Sequence, residues 1–224
     1  YPYALWQASM MLSAGGLKRV LVLHGETPSR FSDNSDRAVA LLFGDAGSAT
    51  ALEFDPATSA RAPWSFGLHT DGTGWRDLII EGGGFRDRTP EDPRKLRVAM
   101  NGANVFNFTI KRVPSSVEEI LQRSATPSDT VDYFVLHQSN LFIMKHLAKK
   151  MQIPDAKLPL TIQRFGSTGG PSVPLTITQG NLTRPGNRAL RLLLVGYGVG
   201  LSWATALVDL PADAILDHVE VGSS

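Results

Sequence analysis

A short strand that ends at a histidine constrains the fold of this chain more than any other feature. Residues 133–136 are aromatic or aliphatic and typical of a strand, and an amphipathic helical pattern begins at Leu141. The connection, residues 137–140, reads His-Gln-Ser-Asn. Open α/β sheets hold their reactive groups at the carboxyl ends of strands. The pattern therefore predicts an α/β fold with a functional imidazole at His137.

Strands and helices alternate along the rest of the chain, which also favours an α/β fold. Helical spacing predicts four helices, over residues 3–14, 102–123, 141–151 and 171–181. Pro114 is expected to kink or break the second. Apolar runs predict further strands over residues 19–23, 38–43, 48–54, 64–68, 190–195 and 201–210. We expect 38–43 and 48–54 to form an antiparallel hairpin across the glycine-bearing turn between them.

Composition narrows the function classes. The chain has 22 basic and 21 acidic residues, so its net charge of +1 gives no reason to expect a nucleic-acid partner. No apolar stretch reaches the length of a membrane span, and we expect no membrane association. The absence of cysteine excludes disulfides and thiolate zinc sites from these residues. No metal or bound cofactor is expected, and the cytoplasm is the expected location.

Three segments resemble the ketoacyl-ACP synthase III family, which comprises thiolase-fold condensing enzymes with a Cys-His-Asn triad. They are residues 135–140, residues 164–170 (Arg-Phe-Gly-Ser-Thr-Gly-Gly) and residues 196–203 (Gly-Tyr-Gly-Val-Gly-Leu-Ser-Trp). The resemblance implies a thiolase-like, five-layered α-β-α-β-α fold made of two similar halves. Residues 1–60 would end the first half, 61–210 would form the second, and 211–224 would be a mobile tail. The chain would then be the carboxyl-terminal two-thirds of such an enzyme.

The same resemblance assigns roles around the histidine. His137 would be the general acid/base and the hydrogen-bond partner of a thioester oxyanion. Ser167 stands where the family has asparagine, and its hydroxyl is one donor with a shorter reach than an amide. Alternatively, Ser167 satisfies the backbone of its loop. The N–H of Val199 would form part of an oxyanion hole, provided that its φ stays negative.

The nucleophilic cysteine of the triad is absent from these residues. Residues 1–14 resemble the body of the helix that this cysteine begins, so we expect the cysteine just upstream of Tyr1. With it, the resemblance implies an acyltransferase that takes an acyl group from acyl-CoA for condensation with a malonyl thioester or transfer to a specialised-metabolite acceptor. Without it, the chain would be a non-catalytic partner subunit or an acyl-binding module.

Substrate contacts and partners also follow from the resemblance. Arg37 corresponds to an arginine at the coenzyme A adenine, and Gly102, Phe106 and Asn140 correspond to walls of the pantetheine tunnel. Their structural alternatives are a surface cation, a turn glycine, a core aromatic residue and a helix N-cap, respectively. Asn107 and Phe142 stand where the family has basic residues that dock acyl carrier protein. We therefore expect a weaker carrier interaction and a homodimer or related heterodimer.

Overall fold

The strands and helices alternate as expected. A computed structural model describes residues 1–33, 35–37, 39–56, 64–184 and 186–222. The helices are α1 (Pro2–Ser13), α2 (Gly102–Arg123), α3 (Leu141–Lys150), α4 (Ile162–Phe165) and α5 (Ser172–Gln179). The strands are β1 (Arg19–Glu26), β2 (Ala46–Glu53), β3 (Ser65–Thr70), β4 (Leu78–Ile79), β5 (Ala99–Met100), β6 (Tyr133–Leu136), β7 (Leu190–Gly198) and β8 (Ser202–Leu210).

Within these described ranges, the strands form two main sheets and one small hairpin. The larger sheet has the order β3-β8-β7-β6, in which β6 and β7 run parallel and the other neighbours run antiparallel. The second sheet is the antiparallel pair of β1 and β2, and the hairpin pairs β4 with β5. The parallel register of Leu136 with Val195 sets the end of β6, and with it the position of His137.

Helices cover both faces of the larger sheet. One core packs α2 and α3 against Phe134 and Leu136 of β6 and against residues of β7. The other core packs Leu5 of α1 and Val173 of α5 against Val135 and the opposite face of β7 and β8. Helix α1 also contacts β1 and β2, so it lies between the two sheets. The observed order is helix, sheet, helix, sheet, which accounts for four of the five expected layers.

The expected hairpin of residues 38–43 with 48–54 is wrong. Residues 39–42 form turns, Phe43 makes an isolated bridge with Ser167, and Ala38 lies outside the described residues. Strand β2 pairs instead with β1, from Arg19 opposite Glu53 onward. The physical reason is the close approach of Gly44 to the Phe165 carbonyl, which a Cβ atom would block. This approach holds the apolar run of 39–43 against a distant loop.

Pro114 does not break α2, which continues from Gly102 to Arg123. Proline has no N–H, so the carbonyl of Ile110, four residues earlier, loses its helical partner. Lys150 at the end of α3 supplies a replacement, with its Nζ donating to the Ile110 oxygen at 2.7 Å. A lysine from the neighbouring helix thus satisfies the orphaned carbonyl.

The remaining elements lie close to their expected positions, and β1, β3 and β7 are somewhat longer than the sequence indicated. Residues 211–222 contain no helix or strand. They are tied to the body of the chain, because Arg184 donates to the carbonyls of Ala212 and Ala214 and the ring of His218 packs on Phe165. These contacts differ from the expected mobile tail. The division at residues 60 and 61 remains a prediction, since 57–63 lie outside the described residues.

Candidate active site

His137 lies at the carboxyl end of β6, as predicted. Its N–H donates to the carbonyl of Val195 on the neighbouring parallel strand at 2.8 Å, which extends the ladder by one residue. The chain then turns into α3, where the side chain of Asn140 accepts from the N–H of Phe142 at 2.8 Å. The sheet on one side and the helix cap on the other hold the imidazole at the strand end.

Among the residues that the structure describes, the imidazole has one hydrogen bond and one aromatic contact. Its Nδ1 lies 2.6 Å from the hydroxyl oxygen of Ser172. The ring of Tyr197 meets it edge to face, with centroids 5.2 Å apart. Burial lowers the pKa of His137 to about 4. The imidazole is therefore neutral at pH 7, and Nε2 is the nitrogen available to a substrate.

Ser172 reaches His137 because of the backbone before α5. Pro171 precedes the helix with φ near −61°, and the N–H of Ser172 donates to the carbonyl of Gly169 at 3.1 Å. The side chain of Ser172 is almost fully buried. A hydroxyl can donate to Nδ1 or accept from it, so Ser172 positions the imidazole, and when the hydroxyl donates the ring proton lies on Nε2.

A second hydroxyl pair lies against the imidazole. Ser139 Oγ and Tyr197 Oη are 2.7 Å apart and connect the strand end of β6 with β7. Burial raises the pKa of Tyr197, so the phenol stays protonated across the physiological range. The pair fixes the Tyr197 ring in the orientation that packs against His137.

Ser167 lies in the loop between α4 and α5 and is 2% exposed. Its N–H donates to the Leu42 carbonyl at 2.8 Å, and its carbonyl accepts from the N–H of Gly44 at 3.1 Å. Within the described residues its hydroxyl has no hydrogen-bond partner, so this hydroxyl does not satisfy the loop backbone. Of the two interpretations of Ser167, this observation favours a hydroxyl kept for a ligand.

The loop after Ser167 packs closely on the end of β1. Glu26 accepts from the N–H of Gly170 at 2.7 Å. Gly169 has φ of +66°, and a Cβ there would collide with the Glu26 carboxylate. Only glycine tolerates both this backbone conformation and this approach. The carboxylate therefore anchors the loop that carries Ser167 and leads to Ser172.

The amino end of α1 also lies beside His137. A Cβ built on Gly196 would lie 2.9 Å from Cδ of Pro2 and 4.0 Å from the backbone nitrogen of Tyr1. Gly196 directly follows Val195, whose carbonyl binds the His137 N–H. The ring centroids of Tyr1 and His24 lie 5.5 Å apart, and a Cβ built on Gly170 would lie 3.0 Å from Cδ2 of His24. The start of α1, His137 and the Gly170 loop therefore converge on one place.

Val199 lies in the bend between β7 and β8 and is exposed. The residues other than glycine with positive φ in the described chain are Ala125, Gln152 and Asn181, so Val199 keeps the ordinary backbone conformation that its predicted role requires. No group in the described part of the chain accepts a hydrogen bond from its N–H. An unpartnered N–H is compatible with an oxyanion hole, and this role stays a prediction.

The expected substrate contacts are spread over the loop after β1 and the amino ends of α2 and α3. Arg37 is exposed, and Gly102 is the first residue of α2. Phe106 stacks on Phe142 with centroids 5.7 Å apart. Asn140 is the N-cap of α3, which was its structural alternative, although a cap can also line a tunnel. These ligand roles stay predictions.

Sequence reasoning missed three groups at this site. Ser172 belongs to the Ser-Val-Pro segment that matches the family, but its contact with His137 crosses 35 residues of sequence. The Ser139–Tyr197 pair crosses 58 residues, and the Glu26–Gly170 bond crosses 144. Ser139, Gly170 and Tyr197 lie within the quoted motifs and Ser172 lies two residues after one, whereas no signal in the sequence pointed to Glu26.

Comparison with known proteins connects this geometry to a family. Residues 1–72 match the family model described as 3-oxoacyl-[acyl-carrier-protein (ACP)] synthase III, and residues 121–210 match the model of its C-terminal part. The chain belongs to this family. Both matched regions reach the site, since the first contains α1 and Glu26 and the second contains His137, Ser167 and Ser172.

The relatives of this chain support the same assignment. A 3-oxoacyl-(acyl-carrier protein) synthase from Burkholderia xenovorans LB400 is 39% identical with a TM-score of 0.90, over 99% of this chain and 64% of that one. β-Ketoacyl-[acyl-carrier-protein] synthase III of Streptococcus suis is 32% identical, over 94% of this chain and 65% of its own. The priming β-ketosynthase of the R1128 polyketide pathway is 26% identical with a TM-score of 0.81, over 94% and 63%.

These likenesses confirm the thiolase-like fold. The chain spans 54% to 65% of the length of the first curated synthase III relatives that it matches. Among the described residues, no helix is both long and apolar enough to cross a membrane. The same part of the chain contains no group of three or more His, Cys, Asp or Glu side chains arranged to hold a metal ion.

Proposed function

We propose that this chain is the histidine-bearing part of a condensing acyltransferase that takes an acyl group from acyl-CoA. The observation that carries the proposal is the convergence of the α1 amino end with His137. A cysteine just upstream of Tyr1 would lie beside the imidazole, at the positive end of the α1 dipole. That position lowers a thiol pKa and favours the nucleophilic thiolate.

The first half-reaction is transfer of the acyl group. The cysteine sulfur attacks the thioester carbonyl, the acyl group moves to the cysteine, and coenzyme A leaves as the thiol. Backbone N–H groups stabilise the oxyanion that develops on the carbonyl, and removal of one such donor typically costs about 3 kcal/mol. Val199 supplies one of these donors in the proposal. Ser167 and His137 are left for the second half-reaction.

The second half-reaction needs neutral donors for an enolate oxygen. His137 is neutral at pH 7, and a hydroxyl proton donated by Ser172 to Nδ1 would leave the imidazole proton on Nε2, directed at substrate. The hydroxyl of Ser167 is the second donor, in place of the amide that the family carries. We infer weaker decarboxylative condensation than with asparagine, since a hydroxyl offers one donor where an amide offers two.

The acceptor site is more aromatic than a carrier-docking surface. Phe142 is 68% exposed and stacks with Phe106, and His146 meets the Phe106 ring at 5.4 Å. Basic contacts steer acidic carrier proteins toward their partners, and Phe142 and Asn107 cannot supply them. We infer a weak interaction with acyl carrier protein and an acceptor from specialised metabolism. We also propose that the protein forms a homodimer or a related heterodimer and that it is located in the cytoplasm.

The proposal is tested by assaying the full-length protein with acyl-CoA and malonyl thioesters. We expect His137→Ala to lower condensation by about 100-fold or more, as for loss of a general acid/base. Ser167→Asn should raise condensation, because it restores a second donor. His69→Ala is the matched control and should leave the rate unchanged, since His69 lies on β3 and pairs with Glu119 of α2. A wild-type protein that binds acyl-CoA without turnover would contradict the proposal and favour an acyl-binding module.

A further inference from the structure

Residues 211–222 follow the part of the chain that matches the family model, and we call them the strap. The strap contacts α4, the short helix that leads into the loop between α4 and α5. The Nη2 atom of Arg164 donates to the carboxylate of Glu220. The ring of His218 meets the ring of Phe165 with centroids 5.6 Å apart. A segment outside the matched region therefore lies against the segment that carries a proposed catalytic group.

The strap is also fixed where it begins. Arg184 donates through Nη1 to the carbonyl of Ala212 and through Nη2 to the carbonyl of Ala214. The N–H of Ala214 donates to the carbonyl of Pro211 at 3.2 Å. These bonds at one end and the contacts with α4 at the other hold the strap in a defined course across the surface.

Helix α4 depends on tertiary contacts, because it has four residues and a single helical turn is not stable by itself. Its amino end is held from the strand end of β6. The Oε1 atom of Gln138 accepts from the N–H of Thr161 at 2.9 Å and from that of Ile162 at 3.2 Å. Gln138 directly follows His137 and is 1% exposed. A buried amide beside the proposed catalytic histidine thus fixes one end of α4.

The carboxyl end of α4 is held through Arg164. Its guanidinium lies over the ring of Phe165, 4.6 Å from the centroid, and Nη1 donates to Oε1 of Gln179 on α5 at 3.1 Å. The Nη2 atom is directed to the strap. The strap therefore adds the Glu220 carboxylate and the His218 ring to this end of the helix.

The end of α4 determines where Ser167 lies. Gly166 follows Phe165 with φ of +67°, a conformation that glycine adopts readily. A Cβ built on Gly44 would lie 1.9 Å from the Phe165 carbonyl oxygen, and the N–H of Gly44 donates to the Ser167 carbonyl at 3.1 Å. Because both residues pack on Gly44, a shift of Phe165 displaces Ser167. A misplacement of about 1 Å in a reacting group can cost about 100-fold in rate.

We propose that the strap positions Ser167 through α4, with Glu220 holding Arg164 and His218 holding Phe165. The inference rests on the proposed function, in which Ser167 donates to the enolate oxygen of the second half-reaction. It adds that condensation depends on the strap and that acyl transfer does not, because the first half-reaction does not use Ser167. Glu220 and His218 are positioning residues, since they act through α4 and not on the substrate.

Separate measurement of the two half-reactions in the full-length protein tests this proposal. Acyl transfer is followed as the mass gained from acyl-CoA, and condensation as the single-turnover reaction of the preformed acyl-enzyme with a malonyl thioester. We expect the double substitution His218→Ala/Glu220→Gln to slow condensation by about tenfold and to leave acyl transfer unchanged. In a Ser167→Ala background the same double substitution should have no further effect, because the group that the strap positions is already gone.

A second variant guards against a folding defect. The Glu220 side chain is 67% exposed, so Glu220→Gln should preserve the fold. It should slow condensation alone, by about two- to threefold, since exposed ion pairs are weak. Glu53→Gln is the matched control, because Glu53 forms an exposed ion pair with Arg19 at 2.8 Å on the sheet of β1 and β2. It should change neither half-reaction.

The outcomes separate the inference from the function on which it rests. If the double variant condenses at the wild-type rate, or if its loss persists in the Ser167→Ala background, the strap does not position Ser167, and the proposed function stands. The same conclusion follows if the double variant loses both half-reactions equally and Glu220→Gln loses neither. If the wild type gains no acyl mass, the proposed function fails together with the inference. A selective loss of condensation that disappears in the Ser167→Ala background supports the inference.

Discussion

The Nδ1 atom of His137 lies 2.6 Å from the hydroxyl oxygen of Ser172, across 35 residues of sequence. This contact decides how the imidazole can act. With Nδ1 occupied by a protein group, only Nε2 can face a thioester. The other contacts of His137, from Val195 through the backbone and from Tyr197 through its ring, fix the position and plane of the ring.

Removal of the Ser172 hydroxyl should allow the imidazole of His137 to adopt either tautomer. In Ser172→Ala we expect the proton to distribute between the two ring nitrogens and the condensation rate to fall by about tenfold, with a stability loss of about 1 kcal/mol. Nitrogen-15 NMR of the His137 ring measures the tautomer directly. Thr178→Ala removes a hydroxyl-to-carbonyl bond from the same helix and should leave the His137 signals unchanged. Unaltered His137 signals in Ser172→Ala would contradict the positioning role.

The stability of the folded chain should depend on pH through His137. Its pKa is about 4 when folded, while an unfolded histidine titrates near 6.5. The unfolded state therefore takes up the proton first as pH falls, and stability is lost between about pH 6.5 and pH 4. The loss is up to ~3 kcal/mol, and smaller to the extent that solvent reaches the partly exposed ring. Urea unfolding at several pH values measures it. Since His137→Gln cannot titrate, a pH dependence in this window identical to that of the wild type would refute the assignment.

Lys150 should stabilise the chain only because Pro114 removes one backbone hydrogen bond from α2. Loss of its bond to the Ile110 carbonyl in Lys150→Ala should cost about 1 kcal/mol, a modest value because the lysine is exposed. In a Pro114→Ala background the helix supplies its own N–H, and the same lysine substitution should cost nearly nothing. Lys149→Ala, one position earlier, is the control. Equal costs of Lys150→Ala in both backgrounds would show that the lysine acts in some other way.

The Ser139–Tyr197 hydroxyl pair should behave as one unit. Ser139→Ala and Tyr197→Phe each leave the other hydroxyl unpaired, and we expect each to cost about 1 kcal/mol. The double variant should cost about the same as either single one, since both partners are then removed together. Denaturant unfolding of the four proteins gives the coupling. Strict additivity of the two single costs would mean that the hydroxyls do not interact.

The position of His137 could be predicted from the sequence because it depends on local structure. The apolar run of 133–136 and the helix from Leu141 place His137 at a strand end, and this placement does not depend on contacts with the rest of the chain. The error at residues 38–43 has the opposite origin. That run is apolar because Val39 is fully buried in turns and Phe43 bridges a loop more than 100 residues away. Nothing in the segment itself distinguishes this burial from that of a strand.

The partners of the site side chains could not be predicted for the same reason. Contacts that join separate elements give Ser172, Glu26 and Lys150 their roles. In the sequence alone, nothing distinguishes each of them from an ordinary polar residue. The serine in the asparagine position was visible in the sequence. That its hydroxyl lacks a partner in the described structure, whereas its backbone is bonded on both sides, required coordinates.

The central claim is that a cysteine upstream of Tyr1 accepts an acyl group beside His137. The most direct test is peptide-level mass spectrometry of the full-length protein after incubation with a panel of acyl-CoA thioesters. We expect the mass of one acyl group on a cysteine in the peptide that leads into α1, and no acylation elsewhere. An intact mass that never increases, or an acyl group on another residue, would contradict the account and favour a non-catalytic subunit.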